Sequence, residues 1–117
     1  MKIIYKDRKV EDICTNMKKA RKKLGDRISI KLFQAIEYIN NSISMKDIIA
    51  YQPFHFHDLK GNRNDEFAID IGGRSSGYRL ILEPLDGQLK RFEPCNIDEI
   101  VETVEIILIL EVSKHYE

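Results

Sequence analysis

The chain has 117 residues, 43% of them hydrophobic, with equal counts of basic and acidic side chains. That length suits a single domain over residues 1–117 with a core that needs no staple, and the composition argues against wholesale disorder. The longest apolar run, Ile106 to Leu110, is far too short to span a bilayer, and Met1 to Lys6 has no apolar stretch of signal-peptide type. Cys14 and Cys95 form no close pair, as is usual for thiols in a reducing compartment, so the expectation is a cytoplasmic protein with no membrane association. Net charge is zero but unevenly spread. Residues 1–64 carry 14 Lys/Arg against 7 Asp/Glu, and residues 65–117 carry 5 against 12. This asymmetry suggests a basic face for an anionic partner; the plainer reading is two solvated faces that balance.

In chain order, Ile3 to Tyr5 reads as a short strand. A first helix is expected over about Lys9 to Leu24, with Val10, Ile13, Met17, Ala20 and Leu24 on one face. Gly25 suits its C-terminus, and Asp26 is expected to cap a second helix over about Arg27 to Asn40, with Ile28, Leu32, Ala35, Ile36 and Ile39 as its stripe. A connection this short implies an antiparallel hairpin. Ser44 to Asp47 resembles a capping box opening a turn or two of helix that ends by Pro53.

The period then changes. Residues 54–59, Phe67 to Ile71 and Tyr78 to Glu83 alternate as strands, separated by turn-forming stretches whose lengths fit an antiparallel meander. Residues 84–99 read as a long loop with a helical turn near Ile97 to Glu99. Val101 to Val112 reads as a buried strand, with a helix as the competing assignment. The fold class is α+β: an N-terminal helical hairpin packed on a twisted, mainly antiparallel sheet.

The chemistry-bearing residues are few. His57, Lys60 and Arg63 fall together where a strand meets a turn, Arg79 lies on a following strand, and His115 and Tyr116 end the chain. His55 and His57 share one face of the expected strand, a weak signal for a metal; no cluster has convincing metal spacing, and no phosphate loop or nucleophile elbow is present. No cofactor is implied. Histidine, lysine, arginine and tyrosine without a metal suit RNA cleavage through the substrate's own 2′-hydroxyl: a base takes its proton, an acid protonates the leaving oxygen, and cations stabilise the phosphorane. Each residue also has a structural reading: strand histidines are often packed, turn lysines solvated, strand arginines ion-paired, and termini frayed. Lys18, Lys19, Arg21, Lys22 and Lys23 crowd one helix, a solvated face or a surface for a polyanion.

These residues carry a resemblance. His57-Asp58-Leu59-Lys60-Gly61-Asn62-Arg63, then Phe67 to Ile71, then Tyr78-Arg79-Leu80-Ile81-Leu82-Glu83-Pro84, resembles the core of the plasmid-maintenance killer proteins, the HigB-like toxins of the RelE/ParE superfamily. Lys19 to Gly25 is similar to their hairpin turn, and Val104 to Tyr116 to their last strand and histidine-bearing tail. The resemblance implies a RelE-like fold and ribosome-dependent cleavage of messenger RNA. It also implies neutralisation by a helix-turn-helix, HigA-like antitoxin, with operator DNA bound only through that antitoxin. The implied catalytic residues are His57, Lys60, Arg79, His115 and Tyr116. Arg63 and the basic run Lys18, Lys19, Arg21, Lys22 and Lys23 would contact RNA. Two other readings stand beside it: a gyrase poison of the same fold, of ParE type, and a non-enzymatic module that binds a protein helix.

Overall fold

A computed structural model describes residues 1–59 and 65–114. The chain is α+β, and its sheet has the order β1-β5-β4-β3-β2. The strands are β1 (Lys2–Tyr5), β2 (His57–Asp58), β3 (Phe67–Ile71), β4 (Tyr78–Leu85) and β5 (Ile106–Lys114). The helices are α1 (Arg8–Thr15), α2 (Met17–Leu24), α3 (Asp26–Asn41), α4 (Met45–Ala50) and α5 (Ile97–Ile100). Strands β2 to β5 form the expected meander, while β1 adds to β5 in parallel, which makes the sheet mixed.

The expected first helix is two helices. The side chain of Asn16 accepts from the backbone N–H of Lys19 and so caps α2, while its own N–H donates to the Asp12 carbonyl and closes α1. Asparagine competes well for such a boundary because its short amide mimics a backbone turn. A second correction concerns Asp26. It is the first residue of α3 rather than its cap, and Gly25 alone joins α2 to α3. Gly25 has φ 83° and ψ 169°, a region essentially restricted to glycine. The capping box at Ser44 forms as expected: its Oγ accepts from Lys46 N–H, and Asp47 Oδ2 accepts from Ser44 N–H.

The stripe Ile28, Leu32, Ala35 and Ile39 of α3 packs on Phe67, Ile69, Ile71, Leu80, Leu82, Ile107 and Ile109. Leu32 and Leu80 are fully buried, and Tyr78 packs at the margin of this core. Register explains the shared face: Phe67 pairs with Leu82, Ile69 with Leu80 and Ile71 with Tyr78. On β5 the register shifts between Ile81 and Leu82, so that Ile109 meets Leu82 while Glu111 meets Ile81. The extra residue keeps β5's apolar side chains on the core face across the shift.

Three strand assignments change. Residues 54–59 are not one strand. Gln52–Phe54 form a 3-10 turn, His55 is left-handed, and pairing begins only at His57. The cause is Phe54, which is buried edge-on against Tyr38 and Tyr51 at 5.2 and 4.9 Å and holds the chain in a turn. The last strand starts at Ile106, not Val101, because residues 97–103 wind into α5 and a following turn closed by the Thr103 hydroxyl on the Ile100 carbonyl. Strand β4 runs through Pro84 to Leu85, two residues further than its alternation suggested. No helix is long and apolar enough to cross a membrane among the described residues.

Candidate functional site

The helices cover one face of the sheet. The opposite face carries the alternate residues Ala68 and Asp70 of β3, Arg79, Ile81 and Glu83 of β4, and Glu111 and Ser113 of β5, with His57 of β2 beside Ala68. Here His57 and Arg79 meet. Nη1 of Arg79 lies 3.3 Å from Nε2 of His57. On the other side of the ring, Nδ1 of His57 is 2.7 Å from the carbonyl oxygen of His55. Arginine can only donate, so Nε2 of His57 is the acceptor and Nδ1–H is the donor to His55. Both ring nitrogens are thus engaged, and the imidazole is fixed in one tautomer.

Small side chains make the contact possible. Ala68 pairs with His57 on one side and Ile81 on the other, and it is fully buried. Its single methyl group leaves room above β3 for the histidine and arginine to reach across it.

Two further residues join them. The His55 ring lies 5.0 Å from that of His57, tilted by 38°. Its Nδ1 faces Oδ2 of Asp70 at 3.5 Å, and the side chain of Asp70 is only 8% exposed. Oδ2 of Asp70 makes no hydrogen bond among the described residues. Asp70 is also the direct cross-strand partner of Arg79. His55 and Asp70 were not singled out as site residues from the sequence. Alternation put both imidazoles on one strand face; only His57 lies on a strand, and the turn that aims His55 at Asp70 is not written in that alternation.

Farther along the same face, Glu83 accepts from Nε of Arg91 at 2.5 Å, and Arg91 also reaches Asp65 at 3.2 Å. Burial pushes the Glu83 carboxyl above its ordinary value, and Arg91 draws it back only in part. Cys95, in the same loop as Arg91, is likewise raised, by burial first and then by Asp65 and Glu83. Cys14 is buried and pushed up to about 12, which makes it an inert core thiol.

The remaining expected residues divide into two groups. Lys18, Lys19, Arg21, Lys22 and Lys23 are all exposed on α2, in the helical layer and away from the His57–Arg79 face. Lys19 pairs with Asp12 at 2.9 Å and Arg21 with Asp26 at 3.6 Å. Lys60, Arg63, His115 and Tyr116 lie outside the described residues. Strand β5 ends at Lys114, which pairs with Tyr78 next to Arg79. Among the described residues, no group of three His, Cys, Asp or Glu side chains is placed to hold a metal ion.

No protein-family model matches the chain, and a search of curated proteins finds no match.

Proposed function

We propose that this protein is a HigB-like toxin of a toxin–antitoxin pair, an endoribonuclease that cuts messenger RNA on the ribosome and is neutralised by a helix-turn-helix antitoxin. The observation that carries the reading is the contact between His57 and Arg79 on the sheet face that the helices leave uncovered. An arginine fixed beside an imidazole, with no helix above them among the described residues, suits a phosphodiester held for in-line attack. The motif resemblance carried by His57, Lys60, Arg79, His115 and Tyr116 supplies the rest of the reading.

The reaction needs no external nucleophile. The 2′-oxygen of the substrate forms a bond to phosphorus, and the bond from phosphorus to the 5′-oxygen breaks. The products are a 2′,3′-cyclic phosphate and a 5′-hydroxyl. Arg79 is the phosphate clamp: its guanidinium donates to the non-bridging oxygens, whose charge grows in the phosphorane. His57 holds that guanidinium from one side and is itself locked by the His55 carbonyl. Lys60 adds a second positive charge to the phosphate, and Arg63 guides the adjacent backbone. His115 serves in proton transfer and Tyr116 positions the 2′-hydroxyl or stacks on a base. The basic run on α2 docks the protein on ribosomal RNA.

Inducible expression in bacteria tests this, with growth and mRNA 5′-ends followed together. The expected result is growth arrest with new in-frame cuts in translated messages, both suppressed by the cognate antitoxin. Unimpeded growth and an unchanged map of ends, with folded protein accumulating, would overturn it.

A further inference from the structure

We propose that His55, oriented by Asp70, is the base that takes the 2′-hydroxyl proton at this site; the inference rests on the ribonuclease reading above. Three observations on the structure carry it.

The first is backbone strain. His55 has φ 45° and ψ 53°, a left-handed conformation uncommon outside glycine, although histidine enters it more readily than most side chains, as Asn and Asp do. Such residues persist only where the surrounding structure over-determines them, and they cluster at functional sites. Here the conformation does two things together. It presents the His55 carbonyl to Nδ1 of His57, and it places the His55 ring against Asp70.

The second is Asp70. A carboxylate sealed into a sheet costs free energy unless a partner compensates it. Its Oδ2 makes no hydrogen bond among the described residues and faces Nδ1 of His55. That arrangement selects the tautomer with the proton on Nδ1, which leaves Nε2 as the basic nitrogen. The His55 side chain is 46% exposed, so substrate can reach the ring.

The third is the state of His57. Both of its nitrogens are already engaged, by Arg79 and by the His55 carbonyl. No hydrogen bond engages Nε2 of His55 among the described residues. Of the two imidazoles, His55 is therefore the one with a lone pair to offer. Nε2 of His55 takes the 2′-hydroxyl proton as the 2′-oxygen bonds to phosphorus. The departing 5′-oxygen takes a proton from water or a second acid, and the imidazolium returns its proton to solvent. Asp70 is a positioning residue that fixes the ring and stabilises the imidazolium while it lasts.

Single-turnover cleavage of a short mRNA on purified ribosomes tests the assignment. Glycine tolerates the left-handed backbone, so His55→Gly should fold and bind ribosomes as tightly as the wild type. Its cleavage rate should fall by about 100-fold or more, and added imidazole should restore part of it. Asp70→Asn should lower the maximal rate and leave the ribosome concentration at half-saturation unchanged. Cleavage by His55→Gly at the wild-type rate overturns the proposal and leaves the ribonuclease reading standing. A loss that imidazole does not relieve, or one that tracks weakened ribosome binding, also overturns it. Failure of the wild type to cleave overturns the ribonuclease reading, and this inference with it.

Discussion

Arg79 and His57 reach each other across β3, with Nη1 3.3 Å from Nε2 and with Ala68, opposite His57, and Asp70, opposite Arg79, on the strand between them. The two residues are 22 positions apart in the chain. This contact makes Arg79 the first residue to test. Arg79→Ala should fold normally, bind antitoxin and lose toxicity, with cleavage reduced by about 100- to 1,000-fold, as for loss of a donor that stabilises transition-state charge. His115→Ala should lose toxicity in the same way. Growth curves and primer extension on induced cells read both, and wild-type arrest by the two folded variants would contradict the assignment.

The small side chain at Ala68 is itself testable. Ala68→Leu adds bulk where His57 and Arg79 converge, on a strand whose other face is the core. Overpacking of this kind costs about 1–3 kcal/mol. The expected outcome is a folded, less stable protein whose cleavage falls further than its stability explains. Wild-type cleavage in that variant would show that the two side chains need not meet.

Stability should depend on the centre of the core. Leu32 of α3 and Leu80 of β4 are both fully buried in the cluster that joins the helices to the sheet. Replacing either with alanine should cost about 2–5 kcal/mol in urea unfolding. A change below about 0.5 kcal/mol, ordinary for a surface site, would contradict the packing described.

The Glu83–Arg91 pair sets a pH dependence. Glu83 has a folded-state pKa raised by burial, so its ionised form is disfavoured in the native protein. A group of this kind contributes stability that is complete below its unfolded value and is lost as pH rises through the folded value. Arg91 limits that loss through its bond to Glu83. Arg91→Met should therefore match the wild type at acid pH and fall behind it as pH rises past the ordinary Glu value of 4.5. Glu83→Gln, in which nothing ionises, should remove this site's part of the decline. Unfolding measured from pH 4 to pH 8 decides it, and a constant offset between Arg91→Met and the wild type would be the wrong result.

Ribosome docking should be electrostatic. The five cations on α2 are exposed, and two of them make surface ion pairs that contribute little in water. Phosphate contacts release counterions, so affinity should drop steeply between low and physiological salt. Reversing Lys18, Lys22 and Lys23 to Glu should weaken binding and flatten the salt slope. Unchanged pelleting with ribosomes would sink the docking role of α2.

Periodicity in the chain determined the α3 stripe, the capping box at Ser44, strands β3 and β4, and the face they turn toward the helices. These features repeat at the spacing of one helix or strand, so neighbouring residues suffice to specify them. The break at Asn16 was equally local and was hidden by an apolar spacing that runs on through both helices. Tertiary structure alone decided the rest. Parallel addition of β1 to β5 joins residues at opposite ends of the chain, and the shift between Ile81 and Leu82 depends on how β5 seats against β4. Burial of Phe54 among Tyr38 and Tyr51 cut short the strand that alternation promised and left His55 left-handed. His57 and Arg79 could be named from their motif. That Asp70 lies beside His55 required the register of β2 on β3, because a carboxylate buried by distant chain carries no local mark of its partner.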